Sequence, residues 1–196
     1  MPLPDRVRLP MRFDPAGLVG DLERLRGVEW HRHFVRDNYE GDWSVIPLRA
    51  QAGAKHPVMM IYPAPDAEVF EDTPFLARMP YIQGLLRGFA CELRCVRLMR
   101  LTAGSVIKEH RDLNLAVELG GIRLHAPITS NPDVDFRLNG TRVFMEPGSL
   151  WYLRLSDPHS VTNDGDAERV HLVIDAHPNP WLLTMLERGA NPSYQM

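Results

Sequence analysis

Between residues 93 and 174 the chain is a succession of short apolar runs cut by turn residues, and no other feature restricts its fold as much. The runs are Leu93–Thr102, Val106–His110, Ile122–Ile128, Val134–Leu138, Arg142–Met145, Ser149–Arg154 and Arg169–Ile174. Ala103-Gly104, Gly120-Gly121, Asn131-Pro132, Asn139-Gly140, Pro147-Gly148 and the stretch from Asn163 to Asp166 separate them. Asn139-Gly140 predicts a two-residue hairpin, because both residue types tolerate the positive φ that such a turn needs. Short strands repeated at this spacing predict an all-β sandwich or barrel.

The first 90 residues read differently. Asp14-Pro15 joins an N-cap residue to a proline at the first helical position, predicting a helix over about 15–26. Trp43 to Leu48 predicts a short strand, which Pro47 places near an edge or an end. A proline-rich loop from His56 to about Thr73 precedes a second helical stretch to about Phe89, broken at Pro80, and Pro180 to Glu187 predicts a last short helix. The expectation is one domain over residues 1–196. Residues 1–90 would be a mixed helix and strand support, 91–176 the β core, and 177–196 a C-terminal helix and tail.

Composition narrows the function. With 196 residues, 44% of them hydrophobic, the chain can bury a core without disulfides or a structural metal. Cys91 and Cys95 are too few for a disulfide framework or a thiolate zinc cage. No stretch approaches the roughly 20 uninterrupted apolar residues of a membrane span. The opening MPLPDRVRLPMRF carries charges and prolines where a signal peptide needs an apolar run, so a cytoplasmic protein is expected. A net charge of −3 without a basic block argues against nucleic acid and against membrane surfaces as partners.

Three elements carry chemistry. In His110-Arg111-Asp112, extended backbone would turn His110 and Asp112 to one face and Arg111 to the other, so the outer pair can grip one ion. Alone, the triplet fits a surface ion pair or a turn better. Asp157-Pro158-His159-Ser160 follows the apolar run that ends at Leu155, and a histidine just past a strand end could return to the same site. Two histidines and one carboxylate on one face of an ion leave its other positions open, as in non-haem iron(II) oxygenases. A histidine bonded to a backbone carbonyl is the competing reading for His159. Arg169 begins the run Arg169-Val-His-Leu-Val-Ile-Asp175. Once buried there it needs an acid, which its planar fork suits; a surface arginine at a strand end is the alternative.

Taken in this order, H-R-D, D-P-H-S and E-R-V-H-L-V-I-D resemble the aspartyl/asparaginyl β-hydroxylase family of iron(II)- and 2-oxoglutarate-dependent dioxygenases. The similarity covers about residues 93–176 and is greatest to the bacterial cis-proline hydroxylase branch. Animal-type members have glycine where this chain has Asp112. The resemblance implies a double-stranded β-helix, or jelly roll, with flanking helices and with the metal site in residues 91–176. It implies His110, Asp112 and His159 as catalytic iron ligands and Arg169 as partner of the distal carboxylate of 2-oxoglutarate. Arg123-Leu124-His125 matches an R-x-H element of the family that lines the cosubstrate and substrate pocket, which makes Arg123 and His125 further binding residues. The implied reaction uses iron(II), 2-oxoglutarate and O₂ to hydroxylate an unactivated C–H of an amino acid, free or within a peptide, with release of succinate and CO₂. The expected partner is therefore a small amino-acid-like or peptide substrate, with a homodimer as a possible assembly. Two other functions stay open: a non-catalytic metal-binding jelly roll acting as a sensor or interaction module, and a cupin-type metalloenzyme that does not use 2-oxoglutarate.

Other residues carry weaker signals. His31 and His33 would share a face on extended backbone, but a cupin pattern does not follow them. His171 shares the face of Arg169 and reads as a hydrogen-bonded core histidine. Trp151 and Tyr152 read as core, Cys91 and Cys95 as structural thiols, and Asp157 and Asp175 as turn or strand-end carboxylates.

Overall fold

Alternation decides what each strand presents to either side. The computed structural model describes residues 3–62, 64 and 66–191. In chain order the first elements are β1 (Arg6–Arg12), α1 (Pro15–Arg24), β2 (His31–Arg32), β3 (Tyr39–Glu40), β4 (Trp43–Gln51), α2 (Pro57–Ile61), β5 (Phe70–Asp72) and α3 (Pro80–Leu86). There follow β6 (Leu93–Leu101), β7 (Ser105–His110), β8 (Ile122–Thr129), β9 (Val134–Leu138), β10 (Thr141–Arg142), β11 (Ser149–Leu153), β12 (His159–Asn163), β13 (Arg169–Ala176) and α4 (Pro180–Ala190). They form two antiparallel sheets. The larger runs β1-β11-β8-β13-β6-β4-β2, with β5 also on β4, and the smaller runs β10-β9-β12-β7-β3.

The larger sheet is covered on both faces. Ile46, Leu48, Val96, Leu98, Leu124 and Leu172 pack outward against Leu18 of α1, Ile82 and Leu86 of α3, and Leu182 and Leu186 of α4. Val45, Met99, Leu101 and Val173 pack inward against Ile107, Phe136, Leu138 and Val161 of the smaller sheet. Burial on both faces is why these strands read as nearly continuous apolar runs. It also explains their ionisable residues: Arg97, Arg123, His125, Arg169 and Asp175 all line the inter-sheet cavity. This is the expected jelly roll, mainly β, with three of the four α-helices among the described residues in the first 90.

The expected caps form. The Asp14 carboxylate accepts from the Ala16 and Gly17 amides at 3.2 and 3.0 Å, and Asn179 Oδ1 accepts from the Leu182 amide at 2.9 Å. Asn139 and Gly140 turn the β9–β10 hairpin with φ of 52° and 71°. Pro80 breaks the second helical stretch, leaving a single 3₁₀ turn (Leu76–Arg78) before α3.

Pro47 lies near a sheet edge as expected, while other expectations need correction. β4 is one strand in from the edge of the larger sheet, with β6 on one side and the short β2 and β5 on the other. Pro47 is tolerated because β2 pairs only with Ser44 and Val45 and β5 with Arg49 to Gln51, leaving a gap at the proline. The Arg142–Met145 run is a strand only at Thr141–Arg142. His159 lies past the end of β11, as expected, and itself opens a further strand, β12. β12 escapes apolar periodicity because its inward positions are His159, Val161 and Asn163, with a single apolar residue among them. β1 and α2 are additional elements, and the tail at 192–196 lies outside the described residues.

Candidate metal centre

A single extra residue aims the first histidine. In the β7–β12 ladder Ile107 faces Val161 and His110 faces His159, so three steps on β7 match two on β12. Strict alternation from the inward Ile107 would send Glu109 inward and His110 out. The bulge reverses that, and Lys108 and Glu109 are both exposed. The rings of His110 and His159 therefore meet at 4.2 Å between centroids.

Asp112 joins them from the loop after β7. Its amide donates to the Leu155 carbonyl at 2.8 Å, and Arg111 turns away to the Ser156 carbonyl. Ligand atoms of His110, Asp112 and His159 lie within 4.8 Å of one another, the one such cluster among the described residues. Both imidazoles are already oriented. His110 Nδ1 lies 2.8 Å from the Lys108 carbonyl, at the bulge, and His159 Nδ1 lies 3.0 Å from the Asp157 carbonyl. A proton on each Nδ1 leaves each Nε2 lone pair for an ion, the usual arrangement of metal-binding imidazoles. Burial lowers the His159 pKa against the pull of the Asp157 carbonyl, which favours the neutral ring. Asp157 thus orients the ring through its main chain, while its carboxylate takes Asn139 Nδ2 at 2.8 Å.

Asp112 is held in turn by a buried ionic ladder. Arg123 Nη1 donates to Asp112 Oδ2 at 2.8 Å, while its Nε and Nη2 donate to the two oxygens of Asp175 at 2.6 and 3.0 Å. Arg97, only 2% exposed, donates to Asp175 Oδ2 at 2.5 Å and to the Ile61 carbonyl at 2.8 Å. The strand-end reading of Asp175 is therefore wrong: it bridges two arginines because β13 sits between the strands that carry them. Burial works against its charge, but Arg123 and Arg97 outweigh burial and hold the carboxyl well below its ordinary 3.8. Asp175→Asn should cost about 3–5 kcal/mol, because it leaves two buried guanidiniums uncompensated. A folded pKa below the unfolded one means this stabilisation is present above pH 3.8 and lost as pH falls below it. Thermal melts should then show a weaker acid dependence in Asp175→Asn than in the wild type.

Arg169 has no such partner. It is 2% exposed and faces the same cavity, of about 550 Å³, as the His-Asp-His cluster. Among the described residues no carboxylate reaches it. Its Nη2 lies 2.8 Å from His171 Nδ1, and its Nε is buried without a partner. Burial alone pulls its pKa down to about 9. Beside it, His125 is buried with Nδ1 at 3.4 Å from His171 Nδ1 and an unpartnered Nε2. Burial, then the charge of Arg169, keeps His125 neutral. A buried cation without a counter-ion is costly, and an anionic ligand reaching it would remove that cost. The residues present thus fit both a divalent ion and an oxoacid.

The comparisons bear on the same elements. The family model described as aspartyl/asparaginyl beta-hydroxylase matches residues 20–178. The chain belongs to this family. It is 27% identical over 168 residues to the L-proline cis-4-hydroxylase of Rhizobium meliloti (strain 1021), covering 84% of this chain and 58% of that protein. It therefore spans a little over half the length of that curated relative. An oxidoreductase of the 2OG-Fe(II) oxygenase family from Burkholderia pseudomallei superposes with a TM-score of 0.56 at 16% identity, covering 88% of this chain and 85% of that one. HygX from Streptomyces hygroscopicus, solved with nickel and 2-oxoglutarate, gives 0.54 at 12% identity over 90% and 84% of the two chains. These two likenesses establish the fold.

Sequence reasoning set His33 aside with His31 and gave it no place at the site. It stacks on Trp43 with ring centroids 3.6 Å apart and lines the cavity near His110. Trp151 and Tyr152 keep to the packing expected of them, with Trp151 Nε1 on Ser149 Oγ and Tyr152 1% exposed. Cys91 and Cys95 are both free thiols. Among the described residues no helix is long and apolar enough to cross a membrane.

Proposed function

We propose that this protein is an iron(II)- and 2-oxoglutarate-dependent dioxygenase that hydroxylates an unactivated C–H of an amino-acid-like substrate. The observation that carries the reading is Arg169, a buried cation with no counter-ion among the described residues, opening on the same cavity as a His-Asp-His cluster. A sensor needs a bound ion but has no use for a second anion site beside it. A cupin-type enzyme independent of the oxoacid would instead place its own acid substrate on Arg169, so dependence on 2-oxoglutarate separates the two.

His110, Asp112 and His159 would hold the ion, and Arg169 the distal carboxylate of the cosubstrate. When bound, iron would activate O₂ as the oxidant: oxidation of 2-oxoglutarate to succinate and CO₂ supplies two electrons and conversion of substrate R–H to R–OH the other two. The chain supplies geometry. Arg123 holds one Asp112 oxygen, which leaves the other free for the ion. His171 steadies the Arg169 fork through Nδ1, so the distal carboxylate meets a pre-oriented partner. Phe136, Val161 and Leu155 limit water around the ligands. The two free thiols accord with a reducing, cytoplasmic setting.

Anaerobic titration of 2-oxoglutarate into the iron(II)-loaded protein tests the reading. A weak visible charge-transfer band that saturates is the expected result. A folded, iron-loaded protein without that band would return the lead to the sensor or cupin reading.

A further inference from the structure

The cavity holds more positive charge than one oxoacid accounts for. Its lining contains four arginines, Arg94, Arg97, Arg123 and Arg169, but only two carboxylates, Asp112 and Asp175, and both are engaged by Arg97 and Arg123. A divalent ion and a doubly charged oxoacid cancel one another, so two positive charges remain; with Arg169 facing the oxoacid's distal carboxylate, Arg94 is the arginine without an anionic partner among the described residues. Arg94 reaches the cavity because of a second bulge. Ile174 faces Val96 and Ala176 faces Leu93, so β6 carries one extra residue there, and Arg94 lines the same cavity as Arg97 and Met99. Its Nη2 takes the Ala67 carbonyl at 3.0 Å, its guanidinium lies 5.0 Å over the Phe70 ring, and its Nε is buried without a partner among the described residues. The adjacent Leu93 pairs seven residues along β13 from Arg169, about 23 Å at the usual strand rise, so the two cations stand toward opposite ends of the cavity.

Between them runs an aromatic wall. Trp43 lies 6.3 Å from the His110 ring, His33 stacks on Trp43, Phe34 stacks on His33 at 4.8 Å, and Tyr62 meets Phe34 edge-on at 5.9 Å. Burial, reinforced by Arg97 and Arg123, lowers the His33 pKa to about 3, so the wall is uncharged. Of the eight large hydrophobic residues that reach solvent among those described, four line this cavity: Phe34, Tyr62, Leu113 and Leu119. Leu113 is 81% exposed. Apolar surface gathered at a mouth marks what the mouth binds.

Resting on the dioxygenase reading, we infer that the substrate is an N-acylated amino acid with an apolar or aromatic side chain, its free carboxylate held by Arg94. The acylated nitrogen follows from the charge balance. A free amino acid would bring an ammonium group into a cavity whose carboxylates are both committed and whose residual charge is positive.

Calorimetry on the Ni(II)-loaded protein tests this, with 2-oxoglutarate titrated first and the substrate probes second. N-acetyl-L-phenylalanine should bind at least tenfold more tightly than L-phenylalanine, L-proline or N-acetyl-L-phenylalanine amide. N-acetylglycyl-L-phenylalanine separates the sources: tighter binding than the single residue identifies a peptide C-terminus, weaker binding a small N-acyl acid, and either keeps the class. In Arg94→Gln the preference for acid over amide should collapse, while 2-oxoglutarate, anchored at the other end, still binds. Free amino acids binding as tightly as the acylated acid, or no probe binding to a protein that takes up 2-oxoglutarate, overturns the inference alone. Failure of 2-oxoglutarate itself to bind overturns the dioxygenase reading, and this inference with it.

Discussion

Alanine at His110 or at Asp112 should reduce metal-dependent succinate formation to the level of the metal-free protein, with the fold intact. His110 has one nitrogen committed to the Lys108 carbonyl, so its whole contribution to an ion is Nε2, and no other side chain in the cluster replaces it. Asp112 supplies the only carboxylate of the set, and in its absence two neutral imidazoles would face a divalent ion with nothing to offset its charge. Neither residue belongs to the packed core. Asp112→Ala still leaves Arg123 paired with Asp175, so thermal melts should separate lost activity from lost structure. Near-normal turnover in both variants would sink the ligand assignment.

Arg169→Met carries the second large effect, with opposite signs on binding and stability. Truncating one partner of a buried, hydrogen-bonded charge pair costs about 2–5 kcal/mol. At about 1.4 kcal/mol per tenfold, the 2-oxoglutarate requirement should rise about 30-fold or more. The ligand-free protein should melt at the same temperature or higher, because Met removes a buried cation that has no counter-ion among the described residues. Arg169→Lys should not rescue binding, since an ammonium cannot reproduce the planar fork that His171 orients. An unchanged 2-oxoglutarate requirement would move the anchor elsewhere, with Arg94, the other cavity arginine without a carboxylate partner among the described residues, next in line.

Much of this site was legible in the chain because its signals are local. The Asn139-Gly140 hairpin, the capped helices at Asp14 and Asn179 and the spacing of the motifs depend on residues a few positions apart. The alternation that sends Arg169 and His171 to one face and Val170 and Leu172 to the other is a property of a single strand. β12 was lost for the same reason in reverse: a strand whose inward positions are histidine, valine and asparagine carries almost no apolar period. Asp175 read as an ordinary strand end because its two arginine partners come from β6 and β8, 78 and 52 residues away.

From the sequence alone follow a mainly β chain, the ligand set His110, Asp112 and His159 as an expectation, and Arg169 as a cation in need of an acid. What the tertiary structure decided is where those groups point and what they lack. The bulge that turns His110 inward exists only when β7 is laid against β12, since register belongs to a pair of strands and not to either one. Whether a buried arginine is neutralised by the protein or left for a ligand depends on which carboxylates the sheets bring within reach. Packing gave Asp175 to Arg97 and Arg123 and brought no carboxylate among the described residues to Arg94 or Arg169, and that inequality is the ground for proposing that the cavity takes acids.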